Sequence, residues 1–555
     1  MGRRRMLAAA LAAVAALGLV GCNAIPGSGD VETGLADLRQ AEQFVQFNPL
    51  GPVAESSQED IVRGFVLAAS SNEADYAVAR EFLTPAYGEQ WDPSFGVVVD
   101  EGARLYSTEG ESSGVLEVSA IAKVDGQGEL LPIGPGPSTD MRFEFEQVDG
   151  EWRISSAPAG IILDRTTFTA VWSPHQVYFA TSAGLMVPET RWYLSRASLA
   201  TEIVNGLLAG PSERMGEVLH SGFPSGTALA TSAVTVLDGR ARIDLTAEAV
   251  EAGPDAMAEM FAQLRESLKS VPGVIGFDVL ANGATIREVG GAAEQPSVPV
   301  VETLNPSVIR DGAFGTIEHG EFVENARFGG ALVEDGPTAI MLSDDGSLAA
   351  SLGAHGVSRI VAGSRTVVDE RPNLLAPDLD LYGYTWSTNA AGEIWVSGAN
   401  GTGYALPAPW LAGFGASVVQ VSPDGSRIAA LAQSGDDYSV VAVAGVVRDE
   451  ASAPVRTTSE ADVRMWAEGD ATDFDWIDST RFATLTREGG AGNVGVGGVG
   501  LLLNEQGSVP GGVQIASGGS RAQLRVRAAD GELYASQGGG WQRSIGEISV
   551  LAKQE

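Results

Sequence analysis

The sequence predicts a multidomain, mainly β protein: a small α+β domain at the N-terminus, an α/β domain in the middle and a β-propeller at the C-terminus. Three observations lead there. Helical periodicity gives way to strict alternation before residue 160. Strands and helices then alternate up to residue 287. After residue 310 the helical period disappears, and short apolar runs recur behind Asp- and Gly-containing turns. The 555 residues suffice for several domains, and 44% hydrophobic with 19% charged residues describes a globular chain. The formal net charge of −36 argues against nucleic acid, because phosphate binding needs a basic surface.

The first 21 residues read as a signal peptide. Arg3, Arg4 and Arg5 precede an apolar run from Met6 to Val20, too short for a comfortable membrane span. The run ends in Leu19, Val20, Gly21 and Cys22, which resembles a bacterial lipobox. In that motif the peptidase cuts between Gly21 and Cys22. The thiol carries a diacylglycerol, and the new N-terminus takes an N-acyl chain such as palmitate. Cys22 is the only cysteine, so intramolecular disulfides and Cys-based metal sites are excluded. Cleavage removes three arginines and no acid, and the more acidic chain is repelled by anionic headgroups. The acyl chains must then hold it at the membrane, at about 0.8 kcal/mol per buried methylene.

Residues 22–56 read as a lipidated tether, with a weak helical patch around Leu35 to Phe44. The N-terminal α+β domain is expected over 57–160. Ser57 and Asp60 form a capping-box-like start, followed by Ile61, Val62, Phe65, Val66 and Ala69 at helical spacing. A second helix is predicted from Glu73 to Leu83, stopped by Pro85. Strands follow over 95–99, 104–106, 115–124, 141–148 and 152–156, the last two joined by the Asp149–Gly150 turn. The α/β domain is placed at 169–287. Its predicted strands are 177–180, 233–237, 241–245 and 274–280. Leu199, Ile203, Leu207 and Leu208 form one helical stripe; Met257, Met260, Phe261, Leu264 and Leu268 form another. Residues 288–310 read as a linker, and 311–555 as a propeller of five to seven blades, with a pair of β-sandwiches as the alternative. The repeat takes Ser343, Ser387, Ser422, Ile477 and Ala528 as equivalent.

Candidate chemistry is sparse. Gly110, Glu111, Ser112, Ser113 and Gly114 fit the nucleophile-elbow pattern, but they lie between two strands, where a hairpin turn is expected. Gly495, Gly497 and Gly500 fit a dinucleotide fingerprint, but Leu501, Leu502 and Leu503 follow instead of a helix. His175, His220, His319 and His355 offer no metal-binding spacing and read as surface or turn residues. Asp470, Asp473, Asp475 and Asp478 lack the Gly and terminal Glu of a calcium loop. They read as a loop entering a blade, with weak calcium binding as a minor option. No catalytic residue, metal or cofactor is assigned.

The order of segments is similar to that of the LpqB-type lipoproteins of actinobacteria. The resemblance rests on the lipobox at Cys22, the helix start from Ser57 to Phe65, and the Ala79, Arg80, Glu81, Phe82, Leu83, Thr84, Pro85 run leading to Trp91, Asp92 and Pro93. The middle unit resembles a GerMN domain at Trp192 to Pro211 and Gly239 to Leu245. The resemblance implies a non-enzymatic lipoprotein on the extracytoplasmic face of the cell membrane. It implies association with the sensor region of an MtrB-type histidine kinase and modulation of MtrA–MtrB two-component signalling, in envelope homeostasis and cell division. The alternative is an envelope lipoprotein that binds cell-wall fragments; a propeller hydrolase is the least favoured.

Overall fold

In a computed structural model the described residues are 49–195, 198–288, 296–299, 304–399 and 401–554. Cys22, the cleavage site and most of the expected tether lie outside them. Residues 46–555 form one compact unit. Among the described residues no helix is long and apolar enough to cross a membrane.

The last part of the expected tether is held on the N-terminal domain. The Glu55 amide donates to Glu151 at 2.8 Å, and Gly51 abuts Glu81. Ser57 then caps helix Gln58–Ala68 with the full capping box. The apolar face of that helix covers a sheet ordered Glu151–Ser156, Thr139–Val148, Ser113–Asp125, Gly96–Thr108, Ile161–Asp164. The predicted second helix is reduced to Ala77–Arg80. Ala74, Asp75 and Tyr76 all take positive φ, which breaks the helix. The bend places the Tyr76 ring edge-on to Trp91 at 5.8 Å, with Arg80 bonded to Asp75 and the Gly88 carbonyl.

The middle domain has a βαβ unit. Arg240–Leu245 and Gly276–Ala281 pair in parallel, joined through helix Pro254–Leu268. Helix Leu199–Ala209 packs into the same core. The turns at Asp149–Gly150, Asp238–Gly239 and Asn282–Gly283 each carry two positive φ angles, the requirement of two-residue hairpins. A long hairpin, Trp172–Thr181 with Met186–Leu194, completes the domain. Sequence reading found only the core of its first strand and missed the second.

The C-terminal region is a six-bladed propeller among the described residues. The first blade comprises Ser307–Arg310, Ala313–Glu318 and Glu321–Glu324, with Ile548–Leu551 as its innermost strand. The second contains Ala339–Leu342 to Ser364–Asp369; the third, Asp378–Leu379 to Gly403–Leu406. The fourth contains Ala416–Val421 to Asp462–Glu468; the fifth, Asp470–Trp476 to Leu501–Pro510; the sixth, Gly512–Ala516 to Gly540–Ile545. The innermost strands neighbour one another around the ring. Pairing of Ser307–Arg310, the first strand of the propeller, with Ile548–Leu551 near its end closes the ring.

Two expectations change here. The end of the expected linker 288–310 is a blade strand, because Val308 and Ile309 are needed to pair with the C-terminal strand. Ser343, Ser422 and Ile477 do follow innermost strands, but Ser387 and Ala528 lie on second strands. Their counterparts are Asp380 and Ser517. Asp-Gly turns also occur between second and third strands, so turn chemistry alone mixed two hairpins.

Candidate functional site

The strand Met186–Leu194 runs through the middle of the molecule and is buried along nearly its whole length. Trp192 lies where all three domains meet. Its ring packs on Phe168 of the N-terminal core at 4.6 Å, its amide donates to the Gly128 carbonyl at 2.7 Å, and its indole N–H donates to the Gly500 carbonyl at 2.8 Å. Gly500 has φ +74, and a Cβ there would meet Thr190 at 3.0 Å. The Gly495, Gly497 and Gly500 pattern therefore serves close approach: Gly497 lies against Met465, and Gly500 against the middle domain.

Charged groups fill the rest of this seam. Glu189 accepts from Arg191 at 2.8 Å and from the Ser212 hydroxyl at 2.6 Å. Burial pushes the Glu189 carboxyl up, but Arg191 and Ser212 outweigh it and hold it below the usual range. Arg427, fully buried, donates to the Pro188 carbonyl at 2.8 Å. Arg464 bonds Glu129 of the N-terminal domain and Asp462, each at 2.9 Å. Arg214 and Arg456 pair with Glu460 and Glu217 at the exposed margin.

The axis of the propeller holds a second buried polar group. Asp470–Trp476 is the innermost strand of the fifth blade, not a loop entering it. Asp473 and Asp475 alternate with Phe474 and Trp476, so the carboxylates share one face of the strand and the rings the other. Asp473 accepts from the Ile515 amide at 2.8 Å and from Lys553 Nζ at 2.7 Å. Asp475 accepts from the Ser517 amide at 2.6 Å and from Gln420 at 3.2 Å. Asp378 accepts from the Val421 amide at 2.6 Å, and its other oxygen has no partner. Burial pushes Asp475 up to about 7 and raises Asp378 well above the carboxylate range. Burial pulls Lys553 down, but Asp473 and Asp475 outweigh it, so the ammonium keeps its proton. Asp470 and Asp478 lie apart from this group, beside Arg487 and Arg481. Among the described residues no three His, Cys, Asp or Glu side chains are grouped to hold a metal ion.

The remaining sequence candidates are dispersed. Ser112 and Ser113 lie in the hairpin between Gly96–Thr108 and Ser113–Asp125, and the Ser113 hydroxyl donates to the Glu109 carbonyl at 2.9 Å. His220 meets Glu259 at 3.1 Å, His355 pairs with Asp335, and His319 occupies a turn with φ +54. His175 departs from the surface expectation. It is buried between Ser173 and Ser270, and burial lowers its pKa, which keeps the ring neutral at pH 7. Sequence reasoning marked Trp192 only within the GerMN-like stretch and gave Glu189, Arg427 and Lys553 no site role; alternation of Asp with aromatic residues at 473–476 was the available signal for the axis.

Comparison with known proteins agrees with this architecture. The Lipoprotein LpqB N-terminal domain matches residues 51–169, the sporulation and spore germination domain matches 176–287, and the Lipoprotein LpqB beta-propeller domain matches 330–549. Lipoprotein LpqB of Thermobifida fusca is 26% identical over 521 residues, 81% of this chain and 82% of the relative. Lipoprotein LpqB of Streptomyces coelicolor is 25% identical over 560 residues, 89% of this chain and 88% of the relative. Among solved structures, the chain is similar to the tandem GerMN domains of the sporulation protein GerM from Bacillus subtilis, at 22% identity and a TM-score of 0.18, covering 28% of this chain and 50% of that one. It is also similar to the propeller domain of Myceliophteria thermophila Cps50 (Swd1), at 10% identity and a TM-score of 0.28, covering 45% of this chain and 84% of that one. With both LpqB-specific domains flanking a GerMN domain in a single chain, the protein belongs to the LpqB lipoprotein family.

Proposed function

We propose that this lipoprotein is anchored through Cys22 to the extracytoplasmic face of the cell membrane and regulates an MtrB-type sensor histidine kinase by binding it, without catalysis. Family membership carries the reading. The architecture supports it. Three domains locked together at Trp192 form one broad, stiff surface, and a typical interface needs only about 800 Å² per partner. The serines of the nucleophile-elbow pattern lie in a hairpin, with the Ser113 hydroxyl donating to the Glu109 carbonyl, which favours binding over hydrolysis. A lipid tether confines the chain to the membrane face where the kinase sensor sits, so modest contacts suffice.

The test is co-purification from detergent-solubilised membranes with an affinity tag on this chain. The kinase should be retained by the wild type. Retention of no kinase, with unchanged kinase output on gene loss, would leave the cell-wall-fragment reading. The anchor is checked separately: Cys22→Ala should abolish lipid labelling and leave the chain released or unprocessed. A processed variant that stays membrane-bound through high salt and carbonate would contradict the anchor.

A further inference from the structure

Of the 35 basic residues only Lys123, Lys269 and Lys553 are lysines. Lys123 and Lys269 are exposed. Arg191, Arg427 and Arg464, the buried cations of the seam, are guanidiniums. At the axis the buried cation is a lysine instead, and the difference is chemical. A guanidinium stays protonated and is no nucleophile, whereas a lysine amine that sheds a proton forms covalent bonds to carbonyl carbon.

Lys553 belongs to the short strand Lys553–Gln554, which pairs in parallel with Met341 and Leu342 inside the innermost strand of the second blade. Its Nζ reaches the innermost strand of the fifth blade and donates to Asp473 Oδ1 at 2.7 Å and to the Phe474 carbonyl. Both side chains of the pair are only 10% exposed. Asp473 is held from the other side, because the Ile515 amide donates to its Oδ2 at 2.8 Å. That N–H sits where negative charge develops when a nucleophile adds to the carboxyl carbon. Asp475 is the next side chain on the same face of the strand. It and Lys553 feel each other's charge, and burial pushes its carboxyl up to about 7, so it can both take and give a proton near neutrality.

We propose that Lys553 and Asp473 become joined by an isopeptide bond between Nζ and Cγ, a covalent latch across the propeller axis. The ammonium first passes a proton along its bond to Asp473, giving an amine and a carboxylic acid; burial favours this neutral pair over two charges. Nζ then attacks Cγ, and the C–N bond forms while the Ile515 amide steadies Oδ2. Asp475 takes a proton from the nitrogen and returns one to Oδ1, which leaves as water as its C–O bond breaks. An ammonium and a carboxylate thus become an amide and water, with no oxidant and no co-reactant. One charge of each sign disappears, so Asp378 and Asp475 still depend on protons. The bond joins residues 80 apart in sequence and makes permanent the seating of the last strand at the axis, which otherwise rests on two paired residues. The latch goes beyond the kinase reading and does not rest on it.

The test is the intact mass of the folded chain from residue 23 onward, measured after denaturation. The wild type should lie about 18 Da below its sequence mass, the water lost. A tryptic digest should yield a branched peptide joining Lys553 to Asp473. Lys553→Arg, which keeps a cation at the axis, should be recovered at its full sequence mass. Asp475→Asn, which keeps the reacting pair and removes the relay, should be recovered largely without the bond. A wild type that holds its full mass through prolonged incubation at neutral pH, a water loss that persists in Lys553→Arg, or a digest that releases Lys553 unbranched would each overturn the proposal. Complete bond formation in Asp475→Asn would overturn the relay.

Discussion

The seam around Glu189 and the axis around Asp475 both bury charge, and they neutralise it by different means. In the seam each acid meets a guanidinium: buried Glu189 with Arg191, buried Asp424 with Arg427, and half-buried Glu129 with Arg464. At the axis Asp378, Asp473 and Asp475 share the single ammonium of Lys553. One cation cannot balance three carboxylates in a low-dielectric interior, so protons make up the difference. The seam is matched by sequence, whereas the axis is matched by pH.

Four changes break or sharpen that contrast. The largest effect is expected from Trp192→Ala, which removes the ring shared by three domains. It should cost about 4 kcal/mol and split thermal unfolding into separate domain transitions, read by calorimetry. Lys553→Met comes next. Leaving buried carboxylates without their cation should cost about 3 kcal/mol, confined to the propeller transition.

The third change concerns pH. Asp475 is raised, so between about pH 4 and its folded value of about 7 the folded chain holds a proton that the unfolded chain has lost. This stabilisation is present at low pH and is lost as pH rises toward 7, at up to about 1.4 kcal/mol per pH unit. Asp475→Asn should flatten that slope, measured by denaturant midpoints across the range. Glu189 is depressed and slopes the other way: its contribution is present above the usual carboxylate range and is lost on acidification below it. The smallest effect is expected from Arg456→Ala at the seam's margin. Arg456 and Glu217 are about half exposed, so the loss should stay below about 0.5 kcal/mol and vanish in high salt.

Most elements were legible where a side-chain period faces one core. The Ser57 cap, the Met257 to Leu268 stripe and the Asp-Gly and Asn-Gly turns are local chemistry, and they fold as read. The missed strand Met186–Leu194 shows the limit. Its Pro188, Glu189, Thr190 and Arg191 break any apolar alternation, and packing between three domains buries them all the same. Asp470 to Asp478 failed for the same reason, since a carboxylate run reads as solvated until ring closure brings Lys553 beside it from the far end of the chain. The axis could not be seen from one segment, because Lys553 lies 80 residues from Asp473; in the seam Arg191 is only two residues from Glu189, and what one segment does not show is the burial of both between domains.

The central claim is that this rigid three-domain body binds the kinase directly. Calorimetric titration of the chain from residue 23 onward against the kinase's purified extracytoplasmic domain tests it most directly. The prediction is a saturable heat with a dissociation constant of about 1–100 μM once the tether is gone. The affinity should weaken from low to physiological salt, given the net charge of −39 that remains once Arg3, Arg4 and Arg5 are removed (32 bases against 71 acids). No saturable heat at either salt would contradict it.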